Sequence, residues 1–392
     1  MMQLNKSKLL LIGVVLIGAC LRFYRLPELM PFIGDQGWYY ISARDMLLTG
    51  EIPLVGITSS HTWLHQGAYW TYFLAGVFKI FNFNPIVPAY IIALLGVATI
   101  VLVYSIAKEM FNQKVALISA FIYATSPLIV MDSRFAYHYS PIPFFTALLI
   151  FSVHRWVGGN IKYFPFIILL LGVLYNLEIA TFSLIGIVVL IFLSGFLKNK
   201  IWARSLLNTK TIAHSLIAFL ITMLPMLIYD LNHKFPQTIK VVVWVFYRIA
   251  VFLGYPPLNP NAPGETWSTF FPFTFDLVQK MIFLPSKELS VVLYLIPILF
   301  LGYIAYKRRK KQETLSTFLI LAFVAIPTIA YIAAKTNSSA YLLIFYPQVA
   351  ILLSLFLTSL VKNKVAYLIV FAVIVGGFIN SYLLVKGNFL TG

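Results

Sequence analysis

The sequence contains a single cysteine and few charged residues. Cys20 alone cannot form an intramolecular disulfide or a metal cluster built on cysteines. Charged residues make up 10% of the 392 residues, whereas hydrophobic residues make up 60% and the mean hydropathy is +0.89. So much apolar surface cannot be hidden from water inside one soluble core. The composition therefore predicts a polytopic integral membrane protein with an all-α fold.

Acidic residues are especially scarce, because 12 aspartates and glutamates stand against 29 lysines and arginines. A basic surplus can indicate nucleic-acid binding, but no basic stripe is interleaved here with stacking aromatic side chains on a soluble domain. In a membrane protein the usual cause is the collection of basic residues on cytoplasmic loops. We therefore expect the membrane, and no nucleic acid, among the partners.

A phosphate-binding loop is also missing. The chain has no glycine-rich GxxxxGK motif, and none of the predicted cytoplasmic loops is long enough for a nucleotide-binding domain. ATP and nucleotide sugars are therefore not expected as substrates at the inner face. An enzyme at the outer face, where nucleotides are absent, needs an activated donor that is itself bound to the membrane.

Hydrophobic runs long enough to cross a bilayer recur along the whole chain. The first, residues 9–21, follows Lys6 and Lys8 and is predicted to be an uncleaved anchor, with a lipoprotein-type signal ending at Cys20 as the alternative. Together with it, the following segments make about eleven transmembrane helices: residues 86–107, 115–131, 141–157, 163–177, 179–197, 211–229, 289–306, 314–333, 341–361 and 365–385.

Residues 67–81 are apolar and aromatic but contain Lys79. If this segment crossed the membrane, every later basic loop would move to the outside. If it lies flat, all of those loops share the side of the N-terminus, as the positive-inside rule requires. We therefore predict an amphipathic helix in the membrane interface. High lysine, isoleucine and phenylalanine usage is typical of a prokaryote, so the plasma membrane is the expected location.

This topology divides the chain into a catalytic module at 1–229 with a large outer loop at 24–85, an irregular extracytoplasmic lid at 230–288, and C-terminal helices at 289–392. It also brings charged side chains of several outer loops to one membrane surface. Asp35 stands first among them, because an aspartate at the mouth of a bilayer is costly unless it is solvated, paired or used. The alternative is a hydrated helix cap. The other candidates are Arg44, Glu51, His61, His65, Asp132, Arg134, His138, Glu178 and His233.

Several candidates have a purely structural alternative. Arg44 can pair with Asp45 on the helix surface, and Glu178 can cap the turn between two short helices. His61 and His65 are four residues apart, which is a metal-ligand spacing on a helix, but no acidic residue lies between them in an HExxH arrangement. His233 can contact lipid headgroups instead of a substrate.

The order of several segments resembles the GT-C glycosyltransferases, specifically the protein-mannosyltransferase and aminoarabinose-transferase-like branch that uses polyprenyl-linked sugars. LRFYRLPEL, GDQGWYYISARDMLLTG and QGAYWTYFLAG resemble the first outer loop of that branch. SPLIVMDSRFAYHYSPIPFF resembles its second outer loop, DLNHKFP the segment after its middle helices, and YLLIFYPQVAILL a late helix. The resemblance covers about residues 8–360, and it depends on the order of the pieces.

The resemblance implies that Asp35 acts as the general base or positions the acceptor. The family usually has a glutamate after this aspartate, whereas this chain has Gln36, which weighs against an acid pair or a metal site. The metal requirement stays open, with a divalent cation as the one cofactor considered.

The family also tends to have an arginine before the late tyrosine, whereas Ala340 precedes Tyr341 here. Another cation must then meet the donor phosphate. Arg134 is our choice for that role, with His138 and Lys335 as further candidates.

The resemblance implies an inverting glycosyltransferase that moves a sugar from a polyprenyl-phosphate donor to a hydroxyl of a lipid, glycan or protein at the extracytoplasmic face. A transporter or flippase of a lipid-linked or small polar solute is the alternative from another class, although transporters place charges near the bilayer midplane and often have matched broken helices. A third hypothesis, motivated by Gln36, is a catalytically silent protein that binds a lipid-linked sugar.

Overall fold

The computed structural model describes residues 6–58, 64–256, 267–307, 313–334, 338–360, 375–383 and 386. Its regular structure is helical, and the described residues contain no β-strand beyond one isolated bridge between Thr58 and His65. The all-α prediction is confirmed. The α-helices are α1 Lys6–Phe23, α2 Leu26–Leu29, α3 Gly34–Thr49, α4 Tyr69–Ile80, α5 Val87–Met110, α6 Gln113–Thr125, α7 Pro127–Asp132, α8 Ile142–Val157, α9 Tyr163–Leu177, α10 Phe182–Leu197, α11 Ile201–Arg204, α12 Thr209–Asn232, α13 Pro236–Phe252, α14 Trp267–Ile282, α15 Lys287–Lys307, α16 Glu313–Ala334 and α17 Tyr346–Leu360.

Local sequence explains where several helices begin and end. The Asn112 side chain accepts hydrogen bonds from the backbone N–H groups of Lys114 and Val115 and so starts α6. Gly50 ends α3 with φ of 77°, a left-handed conformation in which glycine has no steric penalty. Pro127 has no N–H to continue the ladder, so the predicted crossing 115–131 is divided into α6 and α7.

The predicted crossings before residue 362 each coincide with a helix. By length and hydropathy, the candidate membrane spans in the described part of the chain are Val87–Met110, Ile179–Leu197, Thr209–Asn232, Lys287–Ile304, Leu315–Ala334 and Ser339–Ser359, joined by two shorter apolar helices, Ile142–Val157 and Tyr163–Leu177. Most of the last predicted crossing, 365–385, lies outside the described residues.

Helix α4 occupies most of the ambiguous segment 67–81. Its 12 residues would extend about 18 Å, which is too short for a hydrocarbon core of about 30 Å. It packs against α3 and buries Trp70, Leu74 and Phe78. The length therefore supports the prediction that this segment lies in the interface.

The segment 230–288 is more regular than we predicted. It contains the two helices α13 and α14, which pack against α16 and α15 respectively. Asp230 starts α13, because its carboxylate accepts the backbone N–H groups of Gln237 at 2.7 Å and Thr238 at 2.9 Å. The run VVVWVF in α13 is rich in β-branched residues, which have a low helix propensity. Packing of this helix on α16 outweighs that low propensity. The role of the segment as a lid stays a prediction.

The two ends of the bundle carry different residues. Helix α5 starts beside α3, where the Tyr40 hydroxyl donates to the Pro85 carbonyl at 3.1 Å. It finishes near the end of α8, where Glu109 accepts a hydrogen bond from Arg155 at 2.7 Å. Asp35 therefore lies at the end of the bundle opposite to the basic loop of Arg155, as the predicted topology requires.

Candidate active site

Asp35 lies in the first turn of α3, where a negative charge is favoured by the helix dipole. The residue is exposed, and its Oδ2 atom accepts a hydrogen bond of 2.9 Å from the hydroxyl of Tyr137, a buried residue of the loop between α7 and α8. Burial and the bond to Asp35 raise the pKa of Tyr137. The phenol therefore stays protonated and donates, while the carboxylate keeps one open side.

A second carboxylate lies buried beside this pair. The Oε2 atom of Glu178, in the turn between α9 and α10, is 3.2 Å from Nε2 of His138. The same oxygen accepts a hydrogen bond of 3.3 Å from the Gln66 amide. Glu178 also ends α9 through its backbone, since its N–H donates to the Leu174 carbonyl at 3.0 Å. The predicted candidates Asp35, His138 and Glu178 thus come together from three distant segments.

Tyr39 connects the two carboxylates. It lies one turn after Asp35 on α3, is 0% exposed, and has its ring 5.2 Å from that of His138 and edge-to-face with Tyr137 at 6.1 Å. Burial raises the pKa of its phenol, and the nearby charges of Glu178 and Asp35 raise it further. We call this group the acid–aromatic cluster, and its members are Asp35, Tyr39, Gln66, Tyr137, His138 and Glu178.

Gln66 is held in place by the returning chain of the first loop. Gly56 donates to the carbonyl of Gln66 at 2.8 Å, and the backbone N–H of Gln66 donates to Ile57 at 3.0 Å. The next residue, Gly67, donates to the carbonyl of Asn176 at 3.2 Å. A β-carbon on Gly67 would lie 1.9 Å from the Asn176 side chain, so only glycine allows this close approach.

A largely apolar groove of about 310 Å³ has Ile179, the residue after Glu178, among its lining residues. Its walls come from α13, α16, the start of α10 and the 3₁₀ helix Ser339–Phe345. Among the described residues of the wall, Arg248 is the cationic one. Its guanidinium lies 6.0 Å from the ring of Trp244 and 5.4 Å from that of Tyr247, and it donates to the carbonyl of Ala334 at 3.3 Å.

Arg134 does not occupy the position that we predicted for a phosphate ligand. It is 1% exposed, and its two terminal nitrogens donate to three backbone carbonyls, those of Leu21 at 2.9 Å, Arg22 at 3.0 Å and Tyr24 at 2.8 Å. These carbonyls end α1 and need partners because no further turn follows. The geometry therefore corrects the prediction, since the guanidinium closes a helix end.

Other predicted residues also have partners outside the cluster. Asp132 accepts the hydroxyl of Tyr346. Gln36 is buried and donates to the Tyr40 hydroxyl at 3.2 Å, so it packs the helix instead of extending the charge of Asp35.

The more distant candidates of the first loop face the surface. Arg44 pairs with Asp45 at 2.7 Å, with side chains 53% and 48% exposed. Glu51 is exposed beyond the end of α3, and its backbone N–H donates to the Thr49 hydroxyl at 3.2 Å. The structure therefore favours the surface alternative for Arg44, and it brings neither Arg44 nor Glu51 into the acid–aromatic cluster.

The remaining candidates divide between the described and undescribed parts of the chain. The ring of His65 lies 6.1 Å from that of Tyr229 and is tilted against it, and its Nδ1 atom is 3.0 Å from the Gly56 carbonyl. The ring of His233 stacks on that of Tyr229 at 4.3 Å. Tyr341 lines the groove. His61 and Lys335 lie outside the described residues. Among the described residues, no group of three or more histidine, cysteine, aspartate or glutamate side chains has metal-binding geometry.

Sequence reasoning missed the roles of Tyr39, Gln66, Tyr137 and Arg248 in this arrangement. The position of Tyr39 beside Asp35 can be predicted from the sequence, because a residue four positions after Asp35 lies on the same helix face. No local signal marks Gln66 or Tyr137, since tertiary contacts alone bring them to the carboxylates. Arg248 was hidden because the segment around it was predicted to be irregular.

Comparisons with known proteins identify the fold. The model of the dolichyl-phosphate-mannose-protein mannosyltransferase family matches residues 66–229. The chain is 33% identical to dolichyl-phosphooligosaccharide-protein glycotransferase 2 of Archaeoglobus fulgidus over 145 residues, which are 33% of this chain and 24% of that protein. The crystal structure of an A. fulgidus oligosaccharyltransferase in the apo form superposes with a TM-score of 0.63 at 15% identity, covering 99% of this chain and 56% of that one.

This chain has the GT-C glycosyltransferase fold. The resemblance predicted from the sequence is therefore confirmed, and the molecule is a multi-pass membrane protein. A second GT-C structure is that of ArnT from Cupriavidus metallidurans bound to undecaprenyl phosphate. It has a TM-score of 0.58 at 13% identity, and the superposition covers 98% of this chain and 73% of that one. The GT-C chain described here spans only about half the length of the archaeal oligosaccharyltransferase.

Proposed function

We propose that this GT-C protein is a membrane glycosyltransferase that transfers a sugar from a polyprenyl-phosphate donor to a hydroxyl acceptor at the extracytoplasmic face. The observation that carries the proposal is the position of Asp35, whose open carboxylate belongs to the same cluster as a buried histidine–glutamate pair. A single displacement with one base implies inversion at the sugar. The acceptor class, whether lipid, glycan or protein, is left to experiment.

Asp35 is the proposed general base. Its carboxylate takes the proton from the acceptor hydroxyl, and the acceptor oxygen forms a bond to the anomeric carbon. The bond between that carbon and the phosphate oxygen breaks, and the lipid phosphate leaves with the electron pair. Tyr137 orients the carboxylate through its hydrogen bond to Oδ2, which leaves Oδ1 for the acceptor.

The groove is the proposed site of the lipid. Its apolar walls suit an isoprenoid chain, and one of its lining residues, Ile179, directly follows Glu178 in the chain. A lipid bound there is proposed to direct its phosphate toward the acid–aromatic cluster. Arg248 is the proposed phosphate ligand in place of Arg134, because a guanidinium binds phosphate oxygens in a bidentate manner. The bound undecaprenyl phosphate in the similar ArnT fold supports a lipid-phosphate donor.

The function can be tested with purified protein in proteoliposomes that contain a panel of undecaprenyl-phosphate and dolichyl-phosphate sugars and candidate hydroxyl acceptors. Wild type should consume one donor and release lipid phosphate, and Asp35→Asn should not. The matched control is Asp45→Asn, which changes an exposed aspartate on the same helix and should keep the activity.

A transport assay in the same vesicles separates the alternative function. If no donor is consumed while a labelled lipid-linked sugar or small solute crosses the membrane, the protein is a transporter and Asp35 belongs to a binding site. If a donor binds but is neither consumed nor moved, the protein is a binding protein without transferase activity. Either result would overturn the proposal.

A further inference from the structure

Three buried polar atoms of the acid–aromatic cluster have no hydrogen-bond partner among the described residues. They are the hydroxyl of Tyr39, Nδ1 of His138 and Oε1 of Gln66. Their side chains are 0%, 5% and 4% exposed, so bulk water does not replace the missing partners. Buried polar groups are nearly always paired, and each unpaired one is destabilising. Three such atoms around one carboxylate indicate a place that a polar ligand completes.

Glu178 determines whether the free atoms of Gln66 and His138 donate or accept a hydrogen bond. A carboxylate only accepts, so His138 directs its Nε2–H and Gln66 its amide N–H toward the Glu178 oxygen. Gln66 then presents its carbonyl oxygen as an acceptor. Tyr39 presents a phenol that stays protonated and therefore donates. The Nδ1 atom of His138 accepts in the neutral ring and donates in the charged ring.

These properties fit hydroxyl groups better than charged groups. A hydroxyl both donates and accepts, so it can satisfy the Gln66 carbonyl, the Tyr39 phenol and either form of His138. An anionic ligand is disfavoured, because the carboxylates of Glu178 and Asp35 are both close to Tyr39.

We propose that Tyr39 forms, together with Gln66 and His138, which Glu178 orients, the subsite that binds the hydroxyls of a neutral sugar on the lipid-linked donor. This inference rests on the proposed function, and it identifies the sugar hydroxyls as the part of the donor that the cluster recognises. Tyr39 connects the subsite to the base, because it lies on the same face of α3 as Asp35 and contacts Tyr137. Sugar binding and acceptor activation thus share one helix.

The test uses Tyr39→Phe, which removes the hydroxyl and keeps the ring. Its matched control is Tyr40→Phe on the same helix, because the Tyr40 hydroxyl has protein partners in Gln36 and Pro85. Equilibrium binding is measured for undecaprenyl phosphate, for its mannose, glucose and arabinose derivatives, and for monodeoxy analogues of the tightest of these. Binding does not require transfer, so the result is independent of turnover.

We expect wild type to bind one neutral sugar derivative at least tenfold more tightly than undecaprenyl phosphate and to lose about tenfold with one deoxy analogue. Tyr39→Phe should lose that discrimination without a lower Tm, because the hydroxyl has no described partner. Tyr40→Phe should keep the discrimination and show a lower Tm. A glucuronate derivative should bind more weakly than its neutral counterpart.

Two results would overturn the inference. One is a wild type that binds undecaprenyl phosphate as tightly as every sugar derivative, and the other is Tyr39→Phe with the discrimination of the wild type. Failure of the proposed function looks different. In that case wild type distinguishes the sugar hydroxyls and Tyr39→Phe does not, but the vesicle assay detects no transfer.

Discussion

Buried arginines occur in two regions of the molecule, and their surroundings differ. Between α1 and α6, Arg22 donates to the carbonyls of Gly18, Ala124 and Tyr123, and Arg134 donates to the carbonyls that end α1. We call these two residues and their carbonyl partners the arginine seam. Arg248 also donates to a helix-end carbonyl, that of Ala334, but it lies in the wall of the apolar groove beside the rings of Trp244 and Tyr247.

The difference shows that burial of a charge does not identify a functional site. In the arginine seam the fold itself supplies the partners, since backbone carbonyls at helix ends require donors. At the groove an arginine lines a largely apolar space of about 310 Å³. Changes in the arginine seam should therefore reduce stability, whereas changes around the groove and cluster should reduce activity.

The largest effect is expected for Asp35→Asn. Loss of the general base should lower the transfer rate by about 100-fold to 10,000-fold, because an amide cannot take the acceptor proton. The side chain is exposed, so the Tm should change little. Radiolabelled transfer at saturating donor measures the effect, with Asp45→Asn as the control. Transfer at the wild-type rate in Asp35→Asn would remove the base from the mechanism.

The second effect concerns the arginine seam. Arg134→Ala removes the donor of two buried carbonyls and one partly buried carbonyl, which should destabilise the protein by about 3 kcal/mol. The folded fraction should keep the donor KM of the wild type. Unfolding in detergent, followed by helix content, measures the loss. A stable Arg134→Ala with a raised donor KM would show that the arginine acts on phosphate after all.

The third effect tests whether the close contact of Gly67 with Asn176 holds the neighbouring Gln66 in position. Gly67→Ala should lower transfer about tenfold or more, because the new methyl group displaces the chain from Asn176 and shifts Gln66 from Glu178. Gly76→Ala is the matched control, since a β-carbon there meets no atom within 4 Å. Equal activities of the two variants would show that the position of Gln66 is not critical.

The smallest effect is expected at the Arg44–Asp45 pair. Both side chains are about half exposed, and surface ion pairs contribute about 0–1 kcal/mol. Arg44→Ala should therefore leave both Tm and transfer within error of the wild type. Tm and initial rates at two salt concentrations measure this. A clear loss of activity would extend the site along α3.

The sequence predicts the helices well, because hydropathy and the positive-inside rule act on long segments. It also places Asp35, His138 and Glu178 on one side of the membrane, and the structure joins them in one cluster. The two helices α13 and α14 were not predicted, since their β-branched and proline-interrupted sequences conceal a helix that forms by packing.

The choice of arginine shows the limit of sequence reasoning. Arg134 adjoins an aspartate and a tyrosine-rich loop, so its sequence neighbours resemble those of a site residue. Its true partners are carbonyls of α1, more than a hundred residues away, which no local pattern reveals. Arg248 sits among valines and aromatic residues that are typical of a lipid-facing segment. The fold alone distinguishes the two.

The most direct measurement is therefore the donor KM of Arg248→Ala and Arg134→Ala, determined side by side in proteoliposomes at equal amounts of folded protein. We predict that Arg248→Ala raises the KM for the lipid-linked donor by about tenfold or more, because a charged phosphate contact is lost, and that Arg134→Ala leaves it unchanged. A raised KM in Arg134→Ala together with a wild-type KM in Arg248→Ala would contradict the account, because Arg134 and not Arg248 would then bind the donor phosphate.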